Sequence, residues 1–113
     1  MCIYIYIYKF FSPAIRLNGS TYYGRVETVY DGKWVGLCGN SWDINEATVV
    51  CRQLGFTSAV GAYRGDYVLD GSDSNWLDVN CIGNEPSIFQ CTGNGWVKNC
   101  RIKKAGVRCS SAG

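Results

Sequence analysis

Asp43-Ile-Asn-Glu-Ala-Thr-Val-Val-Cys-Arg-Gln-Leu-Gly55 carries the grammar of a helix at both ends. Asp43 has a side chain able to cap the first amides, and Glu46 three residues on completes a capping-box pattern. Gly55 suits the left-handed residue that follows a last helical turn. Ile44, Ala47, Cys51 and Leu54 recur at gaps of three, four and three, so they are expected on one apolar stripe. Cys51 then faces the core, and a helix that aims a cysteine inward is suited to being bolted to a distant strand.

Outward from this helix the chain reads as short strands and turns, beginning at Ile15. Arg25 to Tyr30 and Lys33 to Leu37 flank Asp31-Gly32, a dipeptide that accepts positive φ in a tight hairpin turn. After Phe56 the glycines Gly61, Gly65 and Gly71 and the run Asp70-Gly-Ser-Asp-Ser-Asn75 mark loops. Trp76 to Cys81 reads as a strand, Glu85-Pro86-Ser87 as the start of a short helical turn, and Gly106 to Cys109 as a closing strand. One helix among several short strands is an α+β or mainly β pattern, of which α+β is the expectation.

The core available to such a fold is lean. The chain has 113 residues, the usual size of one domain. Only 22 Ile, Leu, Val and Phe residues lie between Ile15 and Cys109, so cross-links would help a domain this small. Cys38, Cys51, Cys81, Cys91, Cys100 and Cys109 supply an even number in the later two thirds of the chain, with Cys2 left over. Thiols at this density stay oxidised outside the reducing cytosol, which points to secretion or surface display. Zinc fits poorly: the spacings of 13, 30, 10, 9 and 9 contain no Cys-x-x-Cys knuckle, and the chain has no histidine. Lack of histidine also removes Ser-His-Asp and Cys-His catalysis and the commonest general base. The expectation is a domain that is not an enzyme and needs no cofactor.

Charge is divided along the chain. Residues 1 to 85 hold six basic and nine acidic residues, a balance of −3, whereas Lys98, Arg101, Lys103, Lys104 and Arg108 follow Pro86 without an acid. Such a basic segment suits polyanions. No stretch reaches the ~18 apolar residues of a membrane-spanning helix. Met1 to Phe11, MCIYIYIYKFF, alternates Ile and Tyr with strand period but is low in complexity and is what an AT dinucleotide repeat would encode. It lacks the basic start of a signal peptide, and Lys9 interrupts its apolar run. The domain reading is therefore a low-complexity leader over 1–14, either disordered or a gene-model artefact, one domain over 15–110 and a tail over 111–113.

The residues Ile15-Arg16-Leu17, Gly24-Arg25-Val26-Glu27, Trp34, Cys38, Trp42-Asp43, Ala47 through Gly55, Trp76-Leu77, Cys81, Cys91 and Ala105-Gly106-Val107 before Cys109 together resemble the scavenger receptor cysteine-rich (SRCR) domain of the six-cysteine group. The match covers about residues 15 to 109. Spacing alone leaves the cysteine pairing undecided; the resemblance implies Cys38 with Cys100, Cys51 with Cys109, and Cys81 with Cys91. It also implies a curved antiparallel sheet cradling one α-helix, and an extracellular module, secreted or part of a membrane protein's ectodomain. Such modules recognise polyanions, microbial surface polymers, modified lipoproteins or protein partners. The alternative is a structural protein-interaction domain, one repeat of a larger receptor. Nucleic acid is not an expected partner.

Two departures stand out. Several family members bind calcium through two Asp residues after the first of these cysteines and an acid near the Trp-Leu strand; here Gly39 and Asn40 replace the pair, leaving Asp78. Asn40 and Asp78 offer too little charge for calcium, so no metal is expected. Where the family often has a His and acids between its last two cysteines, this chain reads Arg101-Ile-Lys-Lys104. Arg101, Lys103, Lys104 and Arg108 are accordingly the expected ligand contacts, set against the plainer reading of a solvated basic face. Asn18-Gly19-Ser20 fits an N-glycosylation sequon in an exposed turn. Trp34, Trp42, Trp76 and Trp96 are expected to serve the core rather than a ligand.

Overall fold

The structure, a computed structural model, describes residues 15–67, 75–98 and 100–111. The leader with Cys2, most of the Asp70–Asn75 loop, and tail residues 112–113 lie outside the described residues.

The helix forms where its caps predict. Helix α1 spans Ile44–Gln53, with Asp43 as N-cap in extended backbone and both halves of the capping box made. At its other end the Gly55 amide donates to the Arg52 carbonyl and the Phe56 amide to that of Cys51, with Gly55 at φ +98°. That is the Schellman closure a glycine permits. The buried residues of α1 are Glu46, Ala47, Val49, Val50 and Cys51. Ile44, expected on this stripe, is instead 48 % exposed, because the buried face centres on Ala47 and Val50 and leaves the first residue at its border. Glu46, which completes the capping box, is fully buried.

Strands β1 (Ile15–Gly19), β2 (Tyr23–Tyr30), β3 (Lys33–Gly36), β4 (Ser58–Tyr67) and β7 (Ile102–Ser110) make one antiparallel sheet in the order β1-β2-β7-β4, with β3 on β2. Between them in sequence, β5 (Trp76–Asn80) and β6 (Thr92–Val97) pair as a second sheet. A parallel bridge between Leu37 and Leu77 links the two sheets. In the β2–β3 hairpin Asp31 and Gly32 take φ of 52° and 77°, the positive values a two-residue turn requires.

Three elements differ from the expectation. Gly61 and Gly65 do not lie in a loop: Ser58–Tyr67 form β4, paired with β7, while Gly71 lies outside the described residues. Strand β7 begins at Ile102 rather than Gly106, so most of the basic segment is strand. Pro86 lies before the 3₁₀ turn at Ile88–Gln90 rather than in its first position, and Ser87 caps it.

One face of the large sheet packs under α1. Val26, Ala105, Val107 and Cys109 join Ala47, Val49, Val50, Cys51 and Leu77 in the main core. The disulfides join Cys38 to Cys100, Cys51 to Cys109, and Cys81 to Cys91, at Cα separations of 5.7, 5.4 and 4.8 Å. These are the pairs the resemblance implies. Cys51–Cys109 fastens the helix to β7, as an inward-facing helical cysteine allows. Trp42 and Trp76 are buried, Trp96 packs partly buried against the core, and Trp34 departs from expectation at 40 % exposed. Arg16 explains that exposure: its guanidinium lies 4.0 Å from the Trp34 ring centroid, an arrangement that stabilises a half-wet indole.

Candidate functional site

The alternation of β7 separates its residues by face. Ala105, Val107 and Cys109 point to the core, while Lys104 and Arg108 are exposed with Gly106 between them. Antiparallel partners share a face, so the register extends this outer surface across neighbouring strands. Tyr23 lies opposite Arg108 and Arg25 opposite Gly106 on one side; Gly61, Tyr63 and Gly65 lie opposite Arg108, Gly106 and Lys104 on the other.

Two of these positions, Gly65 and Gly106, are glycines whose missing side chains hollow the surface. The resulting groove has a volume of ≈ 400 Å³ and is walled by Tyr23, Arg25, Tyr63, Arg64, Lys104 and Arg108. A Cβ on Gly61 would collide with the ring of Tyr63, so that glycine lets Tyr63 fold across the strand. Arg108 is held against aromatic rings, its guanidinium 5.2 Å from the Tyr22 centroid and 5.1 Å from that of Tyr23. Arg25 lies 3.6 Å from the Glu27 carboxylate, which Arg16 also engages at 2.8 Å. Glu27 thus anchors two cations while itself nearly buried. Cations beside aromatic rings on an exposed sheet can hold anionic groups and stack flat ones.

The four expected contacts do not stay together. Lys104 and Arg108 line the groove, and Arg101 lies at the bend before β7, outside it. Lys103 has its backbone in β7, and its side chain lies outside the described residues. Sequence reasoning missed Tyr23, Arg25, Tyr63 and Arg64, because their meeting depends on pairing between distant strands. The usable signal was the alternation Tyr23-Gly24-Arg25 and Gly61-Ala62-Tyr63-Arg64-Gly65, which spaces large groups and glycines as a pleated surface does.

The position of the family's calcium ligands is filled by other bonds. Asn40 Oδ1 accepts from the Ile102 amide at 3.2 Å, and Asp78 Oδ2 accepts from Asn94 Nδ2 at 2.9 Å. The Arg64 guanidinium donates to the carbonyls of Gly39 and Asn40 at 3.4 and 3.2 Å, bringing a cation to this turn. A Cβ on Gly39 would sit 2.7 Å from Ile102 Cγ2. These residues do not fit a calcium ion, which needs several carboxylate or carbonyl oxygens free to converge.

Below the helix, Glu46 closes a second polar cluster. Its carboxyl accepts from the Asp43 amide at 2.8 Å and from the buried Cys81 amide at 2.5 Å. Burial, then its hydrogen bond with the Asp43 side chain, pushes the Glu46 carboxyl up to about 7. That same bond holds Asp43 below the ordinary carboxylate value. The cluster is structural: it ties the start of α1 to the Cys81–Cys91 loop, while Gln53 near the helix end accepts from the Ile88 amide at 2.9 Å.

The comparisons agree with this architecture. The profile of the scavenger receptor cysteine-rich domain matches residues 17–110. The chain is 43 % identical over 101 residues to the macrophage receptor MARCO of Mus musculus, covering 85 % of this chain and 18 % of the relative. It is 45 % identical over 97 residues to the galectin-3-binding protein of Bos taurus, covering 83 % of this chain and 18 % of the relative. The chain thus spans less than a fifth of either relative's length. Among solved structures, the third SRCR domain of murine neurotrypsin superposes with a TM-score of 0.71 at 35 % identity, covering 87 % of this chain and 96 % of that one. Sheet order, helix, disulfides and sequence together place the chain in the scavenger receptor cysteine-rich domain family.

Proposed function

We propose that this chain is an extracellular recognition module whose outer sheet groove takes polyanionic ligands. The observation that supports the reading is the grouping of Arg25, Lys104 and Arg108 around a glycine floor between Tyr23 and Tyr63. Flexible cations alone would mark a solvated surface; cations placed beside a concave, tyrosine-walled floor offer both charge and contact area. Arg64 adds no charge to the groove: it lies opposite core-facing Ala105, and its guanidinium serves the Gly39–Asn40 turn. Three disulfides suit an oxidising compartment, and among the described residues no helix is long and apolar enough to cross a membrane. One relative is named as a receptor. No catalytic group is assigned.

Retention on immobilised heparin tests the reading. The wild-type chain should elute at a salt concentration that falls clearly in Lys104→Glu and Arg108→Glu. Elution unchanged by both reversals would remove the groove from the account. The second reading, a protein-interaction domain, draws on the relative named for binding galectin-3; it predicts partner binding insensitive to salt, unlike contacts made by exposed charges.

A further inference from the structure

The sequon Asn18-Gly19-Ser20 lies at the end of β1, an edge strand of the large sheet. Asn18 is exposed, so an enzyme that modifies extended, accessible backbone can reach it. The chain then turns at once: the Ser20 amide donates to the Tyr23 carbonyl at 2.8 Å, and Gly19 lies so close to Gly24 that a Cβ on it would come within 3.0 Å of the Gly24 Cα.

The direction of the Asn18 side chain follows from register. Asn18 pairs with Arg25, Arg25 with Gly106, and Gly106 with Tyr63. These four residues form one transverse row on the outer face of the sheet. Asn18 Nδ2 donates to Glu27 Oε2 at 3.4 Å, which turns the amide over that face rather than away from the edge. An N-linked asparagine keeps one hydrogen on Nδ2, so a donor to Glu27 remains after glycosylation. With strands about 4.8 Å apart, Asn18 stands about 10 Å from Gly106, the middle of the groove floor. The first sugars leaving Asn18 meet Arg25 and then a position with no side chain.

We propose that Asn18 carries an N-linked glycan that lies along the outer face and screens the groove. Its effect on ligand capture rests on the polyanion reading above, whereas its screening of Tyr63 and Tyr23 does not. An unmodified copy presents the groove open, and a glycosylated copy presents it covered. Glycan occupancy therefore sets how much of the protein is competent to bind.

The test uses the full chain secreted behind an added leader from a glycosylating eukaryotic host, compared with Ser20→Ala and Asn18→Gln. Ser20→Ala removes the acceptor motif and leaves the Asn18–Glu27 bond. The wild type should show a glycan mass on the Asn18 peptide that both variants lack. Nitration of Tyr63 and Tyr23, read by peptide mass, should be several-fold faster in both variants, and both should elute from heparin at higher salt. An Asn18 peptide of unmodified mass would overturn the proposal, as would equal nitration with and without the glycan. Protected tyrosines together with variants that heparin does not retain would uphold the screening and refute the polyanion reading.

Discussion

Glu46 holds two backbone amides with one carboxyl in a place where no water reaches it. Replacing it with Ala would leave the Cys81 amide buried without its acceptor, a loss of about 2 to 3 kcal/mol. Its protonation makes stability depend on pH. Glu46 titrates near 7 in the folded chain against an ordinary 4.5, so between these values the folded state keeps a proton that the unfolded state has released. Raising the pH therefore favours unfolding across this window and has no further effect through Glu46 above it. Asp43, held below its ordinary 3.8, acts in the opposite sense: its contribution is present above that value and fades as the pH falls through the depressed one. The pair is thus most favourable around pH 4 to 5. Unfolding free energies from urea titrations should fall between pH 5 and pH 8, by at most about 3 kcal/mol from Glu46, and Glu46→Gln should flatten most of this slope. A slope unchanged in Glu46→Gln would show that the proton sits elsewhere.

At the scale of elements, local signals and long-range pairing divide what could be read in advance. The capping box of α1 and the Asp31-Gly32 hairpin are encoded within a few residues, and both appear where the sequence places them. Strand β4 is different. Gly61 and Gly65 suggest a loop until β7 lies beside them; then Gly65 joins the groove floor and Gly61 makes room for the Tyr63 ring. Lys104 and Arg108 were legible as candidates because they stand in an acid-free segment, and they line the groove, whereas Arg25 and Tyr63 join it only through register. Gly39 provides a test at this scale. Gly39→Asp restores one acid at the calcium position but drives a side chain into Ile102. It should lower stability by about 1 to 3 kcal/mol, the range for overpacking, and calorimetry should detect no calcium binding. Binding accompanied by a gain in melting temperature would contradict the packing argument.

Across the whole molecule, cross-links compensate for a lean core. Cys38–Cys100 and Cys51–Cys109 span 62 and 58 residues, and Cys81–Cys91 spans 10. Loop entropy assigns about 4 kcal/mol to each long bond and nearer 3 to the short one. A stability of ordinary size does not survive the loss of much of that. Cys51→Ala with Cys109→Ala should therefore be largely unfolded at 37 °C by circular dichroism, while Cys81→Ala with Cys91→Ala should keep more of its fold. Equal loss in both double variants would count against the entropic ranking. The same long bonds fix both ends of β7, since Cys100 precedes the strand and Cys109 lies within it. The strand that carries Lys104 and Arg108 is thus pinned, and the groove is held open by the scaffold rather than assembled by a ligand. The most direct measurement is the salt at which the unglycosylated chain leaves immobilised heparin, compared with Arg108→Glu at equal melting temperature. Clear retention that drops in the variant is expected, and equal elution of the two folded proteins would contradict a ligand-holding role for the groove.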